Sequence, residues 1–169
     1  LSPPVSGETP AASTKIVKVS ASSLTVTGKA SGDCWTSSIA SPRSDAFRCS
    51  AGNTIYDPCF VRDRNSVVCA TDVFSSNGTQ LELTKPLPAA ASPGPPRAWA
   101  MLLQSGAKCN AGTGTVVEGY PYYCSGKDGV CQEPDLSKQQ QAYFVKCGTA
   151  TDALHVKSSG STLVKILYE

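Results

Sequence analysis

The sequence is poor in the residues on which most hydrolases and metalloproteins depend. It contains a single histidine, His155, so a Ser–His–Asp triad would have to be built on that residue. His155 lies in the strand-like pattern ALHVK, outside any G-x-S-x-G nucleophile motif, and is expected to face solvent. No two cysteines form a C-x-x-C pair, so the close ligand spacing of a structural zinc site is missing. The sequence predicts no metal or other cofactor and favours a protein that is not an enzyme.

A charge excess of one sign and long hydrophobic runs are missing as well. The chain carries 15 Lys and Arg against 13 Asp and Glu, a formal net charge of +2, which is too even to favour nucleic acid as a partner. No apolar run is long enough for a membrane-spanning helix. No signal peptide is present, and the start at Leu1 fits a mature product whose targeting segment was removed, which leaves room for an upstream anchor.

Cysteine, in contrast, is abundant. The chain has eight cysteines, an even number typical of a disulfide framework formed in an oxidising compartment, so we expect an exported protein outside the cell or on its surface. Eight cysteines can pair in about a hundred ways. We favour sequential pairing because each closed loop is then short and contains a turn signal. The expected pairs are Cys34–Cys49, Cys59–Cys69, Cys109–Cys124 and Cys131–Cys147. An alternative crosses the first two pairs into Cys34–Cys69 and Cys49–Cys59.

The pattern along the chain predicts one folded domain after a linker. Residues 1–14, LSPPVSGETPAAST, are rich in Pro, Ser, Ala and Thr without apolar periodicity, as in a flexible linker. Residues 15–169 read as a single disulfide-rich domain of short strands, an antiparallel barrel or sandwich with disulfide-stapled loops. At most one or two short helices are expected, one of them in PDLSKQQQAYFV. The clearest hairpin is predicted near the end, with strands at 153–157 and 162–168 joined by a Ser-Ser-Gly-Ser turn.

Two segments are the candidate working surface. The stretch 40–63 interleaves arginines with carboxylates and aromatics, and GYPYYC places tyrosines beside a proline that favours a loop. The candidate binding residues are Arg43, Asp45, Arg48, Tyr56, Asp57, Tyr120 and Tyr122. Salt bridges and turn caps are a simpler role for the charged members of this set. Trp35 and Trp99 are expected to fill the core beside disulfides.

The cysteine-rich segments also resemble a known type of bacterial module. GDCWTSSIASPRSDAFRC, continuing with AGNTIYDPCF and VVC, resembles an uncharacterised extracytoplasmic module of actinobacterial and chloroflexi lipoproteins and receptor-like membrane proteins. AWAMLLQSGAKCNAGTGT and YYC resemble its second half, so the resemblance covers about 32–168. It implies disulfides among the first six cysteines, with Cys131 and Cys147 as an additional pair. It implies no catalytic residues, because the module has no settled activity.

The expected function is therefore an extracytoplasmic binding or sensor module. Its ligand would be a cell-envelope component, a small molecule or an extracellular protein, and disulfides would hold its loops in a binding-ready shape. One alternative is a secreted protease inhibitor that inserts residues 93–97 or 42–45 into a protease. A second alternative is a hydrolase that pairs two carboxylates from among Asp45, Asp57, Asp63 and Asp72.

Overall fold

The regular structure of the protein is mainly β, as the sequence predicts. The computed structural model describes Gly7 and residues 11–126 and 129–169. These residues form twelve strands and two short 3-10 turns, at Ala21–Ser23 and Val73–Ser75, and no α-helix. Hence no helix in the described ranges has the length and apolar character needed to cross a bilayer.

The linker predicted for residues 1–14 lies mostly outside the described residues. Thr14, at its end, is attached to the fold: its backbone N–H donates to the Gln141 carbonyl over 2.9 Å, and its hydroxyl donates to the Val164 carbonyl over 2.7 Å. These two bonds attach Thr14 to the second half of the fold.

The first half of the chain forms a five-stranded barrel. Neighbouring strands pair antiparallel in chain order, and the first and last of them close the barrel by pairing in parallel. The strands are β2 (Thr25–Ser37), β3 (Ala46–Ala51), β4 (Thr54–Asp63), β5 (Ser66–Asp72) and β6 (Asn77–Leu83). The interior is filled by Cys34, Phe47, Cys49, Cys59, Val67, Cys69 and Leu81.

The second half forms a six-stranded sheet that also closes on itself. Its last strand pairs with β11 along its first part and with β7 along its second part, which joins the two edges. The strands are β7 (Ala100–Leu103), β8 (Lys108–Ala111), β9 (Tyr122–Cys124), β10 (Val130–Cys131), β11 (Phe144–Ala150) and β12 (Val156–Tyr168). The short strand β1 (Lys15–Val17) adds to β12 in parallel.

The two barrels share a common core. Strand residues alternate between faces, so while Val67 lies inside the first barrel, its neighbour Val68 belongs to a cluster that continues into the second barrel. Phe60 of the first barrel is fully buried, and its ring centroid lies 6.0 Å from that of Trp99, which leads into β7. Burial of these side chains against one another holds the barrels together.

All four disulfides have the sequential pairing expected from the sequence. Each joins residues that lie directly opposite on neighbouring antiparallel strands, for example Cys34 on β2 and Cys49 on β3. The bonded residues are 10 to 16 positions apart. In the chain-entropy picture a loop of this size stabilises the fold by about 3 kcal/mol. Multiple disulfides of this kind are typical of proteins from oxidising compartments.

The predicted C-terminal hairpin is wrong. Residues 156–168 form the single long strand β12, and the Ser-Ser-Gly-Ser segment stays extended. Gly160 has a φ of +103°, and the pairing with β11 slips by one residue at Gly148. The slip leaves β12 with one extra residue, which forms a bulge. The strand continues through the bulge because β11 pairs with β12 on both sides of it.

The helix predicted from Pro134 is also wrong. The segment 132–143 lacks regular structure, and two side chains hold its backbone in a non-helical path. The Asp135 carboxylate accepts the Ser137 N–H over 3.0 Å, and the Tyr143 hydroxyl donates to the Lys138 carbonyl over 2.9 Å. Such local side-chain bonds compete with helix formation.

Candidate functional site

The candidate site lies on the outer face of the first barrel, where two irregular ladders flank Arg48. On one side, the pairing of β2 with β3 shifts between Cys34 and Thr36, which leaves Trp35 as an extra residue. On the other side, the pairing of β3 with β4 shifts so that Asp57 and Pro58 lie opposite Arg48. Bulges of this kind redirect side chains, so both neighbours of Arg48 are set by the backbone.

Arg48 contacts both of these neighbours. Its Nη1 lies 3.1 Å from Oδ2 of Asp57, and its guanidinium carbon lies 5.8 Å from the centroid of the Trp35 ring. The side chains of Asp57 and Arg48 are 2% and 15% exposed, whereas Trp35 is 51% exposed. The arginine thus connects a buried carboxylate to an indole that faces solvent, in a cation–π arrangement.

Asp57 is fully engaged by protein groups. Its carboxylate accepts the Ile39 N–H over 2.9 Å and the hydroxyl of Ser38, in addition to the Arg48 guanidinium. A buried ion pair is kept only when such additional bonds satisfy its lone pairs. The carboxylate therefore positions Arg48 and the loop after β2, and has little capacity left to hold a ligand.

Two isoleucines extend the apolar surface around the ion pair. Ile39, whose N–H binds Asp57, is 51% exposed, and Ile55 is 55% exposed. Ile55 lies two residues before Asp57 on β4, and residues so spaced share one face of a strand. We call the set Trp35, Ile39, Arg48, Ile55 and Asp57 the Trp35 platform. Large apolar side chains gathered on one exposed face are typical of a contact surface.

The disulfide Cys34–Cys49 supports the Trp35 platform from beneath. Cys34 directly precedes Trp35, Cys49 directly follows Arg48, and both cysteines are buried inside the first barrel. The covalent link therefore fixes the separation of the two strands that carry the indole and the guanidinium. A surface held in this way loses little conformational entropy on binding.

The other predicted charged pair has a structural role. Arg43 makes a two-pronged ion pair with Asp45, with Nε–Oδ1 and Nη2–Oδ2 distances of 2.9 and 2.6 Å. Its remaining nitrogen donates to the Val19 carbonyl, and its guanidinium carbon lies 4.7 Å from the Phe60 ring centroid. Arg43 thus joins the loop before β3 to the connection after β1. The structure keeps this pair separate from the Arg48–Asp57 pair.

The predicted tyrosines lie largely in the interior. Tyr122, expected on an exposed loop, is fully buried on β9, where its hydroxyl donates to the Ala98 carbonyl. Burial raises the pKa of Tyr122 well above its usual range. Tyr56 packs partly against the interior of the first barrel, and Tyr120 is half-buried in the second. The prediction of an exposed Tyr122 is therefore wrong, because its side chain lies on the inner face of its strand.

Trp35 is the residue that sequence analysis assigned to the core and the structure places at the surface. Trp99, by contrast, is 4% exposed, as expected. The signal that distinguishes them is the preceding cysteine: because Cys34 points into the barrel and strand side chains alternate, the next residue must point outward. The same alternation places Ile55 outside and Tyr56 inside.

Two of the four carboxylates considered for a hydrolase, Asp63 and Asp72, have a lowered pKa. Hydrogen bonds from Asn65 and from Ser75 hold the pKa of Asp63 and of Asp72, respectively, below the usual range, whereas a general acid needs a raised pKa. His155 is exposed as predicted, and its Nδ1 lies 2.8 Å from Asp152.

Two groups of cysteines have sulfur atoms close enough to resemble a metal site. Each group holds three Sγ atoms within 4.8 Å of one another, yet all eight cysteines are in disulfides. A metal ligand is a thiolate, so these groups are sulfur packing. Their members are Cys49, Cys59 and Cys69 in the first barrel and Cys109, Cys124 and Cys131 in the second.

The two loops considered for protease inhibition are tied to each other. The Gly94 N–H donates to the Pro42 carbonyl over 2.9 Å. Arg43 is engaged by Asp45, and Arg97 is paired with Glu133 at 2.7 Å. An inhibitory loop must present a free side chain to the protease pocket, so this arrangement does not favour that role.

Comparisons of the chain with protein-family models, with curated proteins and with solved structures found no match. The resemblance to a bacterial extracytoplasmic module therefore stays a prediction from the sequence. A function for this protein has to be inferred from the residues on the barrel surface.

Proposed function

We propose that the protein is an exported binding or sensor module, without catalytic activity, that contacts its partner through the Trp35 platform. The observation that carries this proposal is a half-exposed tryptophan stacked near an arginine whose charge is held by a buried aspartate. Tryptophan and arginine are the residues most enriched among those that dominate binding energy at protein interfaces. The four disulfides support the exported location.

The composition of the Trp35 platform favours an extracellular protein as the partner. Ile39 and Ile55 add exposed aliphatic surface to the platform, and aliphatic anchors beside an aromatic side chain suit a protein or peptide surface. The engaged Asp57 carboxylate leaves few free acceptors for the hydroxyl groups of a sugar.

The two tryptophans allow a direct test. Trp35 is half-exposed and Trp99 is buried, so iodide should quench mainly the fluorescence of Trp35. We expect a fraction of proteins released from the cell envelope to protect Trp35 from iodide, while polysaccharide purified from the same envelope gives no protection.

Matched variants make the result specific. Trp35→Phe should lose the quenchable signal. When binding is measured instead as retention of the same protein fraction on the immobilised variant, Trp35→Ala and Arg48→Gln should weaken it at least tenfold, since residues of this kind commonly contribute about 2 kcal/mol or more. Lys165→Gln, an exposed change on β12, serves as the control. Binding that is equally strong in Trp35→Ala would refute the assignment, and protection by polysaccharide alone would replace the protein partner with a sugar.

A further inference from the structure

We infer that the first barrel carries a second site, a cleft that binds a small amphipathic anion with a carboxylate head and an aliphatic tail. The cleft lies on the outer face of the barrel beside the 3-10 turn Ala21–Ser23, is open to solvent and has a volume of about 610 Å³. This volume is within the range of small-molecule pockets, about 300–1,000 Å³. It shares no residue with the Trp35 platform, so the inference does not depend on the proposed function.

The floor of the cleft is aliphatic. It is formed by Leu24 directly before β2, Val26 at the start of β2 and Val68 on β5, and it is bordered by Val61 of β4, which packs against the interior of the first barrel. Leu24 and Val68 are buried, and Val26 and Val61 are half-buried. A hydrocarbon chain placed here would cover the accessible part of Val26 and displace water from it, which is the favourable contribution expected of an apolar tail.

The charged groups that line the cleft are both cations, Lys29 and Arg62. Lys29 has no ion-pair partner within the described part of the chain. No carboxylate is among the described residues that line the cleft. A ligand that enters the cleft therefore meets positive charge at the rim of the cleft and aliphatic side chains at its floor. A ligand with a single negative charge complements this rim.

Arg62 is held toward the cleft by a buried amide. The side chain of Gln80 is buried, accepts a hydrogen bond from Nη1 of Arg62 and donates to Oε1 of Glu82 over 2.5 Å. Glu82 thus anchors the amide without lining the cleft. The guanidinium has five N–H donors, and the bond to Gln80 uses one of them, so the others can form charge-assisted bonds with a carboxylate.

Serine hydroxyls at the 3-10 turn also line the cleft. The Ser20 and Ser22 hydroxyl oxygens lie 3.0 Å apart, and the Ser20 N–H donates to the Ser23 hydroxyl over 2.9 Å. These bonds keep the turn in place beside the floor. The lining therefore combines hydroxyl groups with two cations, and Lys29 and Arg62 select the sign of the ligand's charge.

The test uses calorimetric titration with decanoate, below the concentration at which it aggregates, and with decanol and decyltrimethylammonium as neutral and cationic probes. We expect saturable binding of decanoate, weaker binding of decanol and no binding of the cation. Decanoate affinity should also fall as salt rises, because salt screens charges at an exposed rim.

Variants of the full chain assign any binding to the cleft. Lys29→Gln combined with Arg62→Gln should weaken decanoate at least tenfold, Val26→Phe should fill the cleft and abolish binding, and Lys165→Gln should bind normally. Trp35→Ala should also bind decanoate normally, which separates this site from the Trp35 platform. The inference is overturned if decanoate does not bind, if the double charge variant binds it unchanged, or if the cationic probe binds as well. The two charge changes are at exposed positions, so they remain informative if Val26→Phe does not fold.

Discussion

The common core predicts that the two barrels unfold as one unit, and Leu81→Ala tests this. Leu81 is fully buried, and all its cluster neighbours belong to the interior of the first barrel. Loss of a buried leucine side chain costs about 2–5 kcal/mol. If the barrels unfold together, the free energy of unfolding measured in the second barrel should fall by the same amount, although none of its contacts has changed.

Amide hydrogen exchange measures this barrel by barrel. The Leu83 N–H, bonded to the Asn65 carbonyl over 2.8 Å, reports on the first barrel, and the Val164 N–H, bonded to the Tyr143 carbonyl over 2.9 Å, reports on the second. Since about 1.4 kcal/mol corresponds to a tenfold change, both amides should exchange at least about thirtyfold faster in Leu81→Ala.

An exposed leucine provides the control for Leu81→Ala. Leu154→Ala removes the same atoms from a side chain that is 67% exposed, and surface changes of this kind usually stay within about 0.5 kcal/mol. It should leave both amides nearly unchanged. Faster hydrogen exchange at the Leu83 amide alone in Leu81→Ala would show that the barrels are independent folding units. It would refute the inference that they unfold together.

Two further predictions concern covalent and buried polar contacts. Cys131→Ala combined with Cys147→Ala opens a loop of 16 residues and should lower the free energy of unfolding by about 3 kcal/mol in denaturant titrations; an unchanged midpoint would contradict it. Tyr122→Phe leaves the buried Ala98 carbonyl without its donor, at an expected cost of about 1–3 kcal/mol. Because the folded pKa of Tyr122 is raised, its hydroxyl ionises first in the unfolded chain, so wild-type stability is intact below about pH 10 and falls above it. The variant should show a shallower fall above that pH, and identical curves would contradict this.

The sequence predicts the fold class and the disulfides well because both follow from local information. Strands of alternating character and short cysteine loops are visible within a few residues, and sequential pairing needs only that neighbouring strands lie side by side. The closure of each barrel depends instead on contacts between distant strands, such as β2 with β6. No local pattern encodes which strand closes the ring.

The candidate site was only partly predictable for a related reason. Arg48 and Asp57 stood out as charged residues in one segment, but their pairing arises from a bulge that places two residues of β4 opposite one of β3. The serines and glycine near the C-terminus suggested a turn by composition, yet pairing with β11 overrode that preference and kept β12 extended.

The parallel pairing of β1 with β12 has a mechanical consequence. Lys15 lies beside Ile166 and Val17 beside Tyr168, so the chain enters this strand pair at one end and leaves it at the other. A force applied through the two chain ends would slide the strands past each other, loading their hydrogen bonds together, including the bond from the Glu169 N–H to the Val17 carbonyl. The first element to bear tension would thus be sheared and not unzipped, so its hydrogen bonds would break together and not one after another.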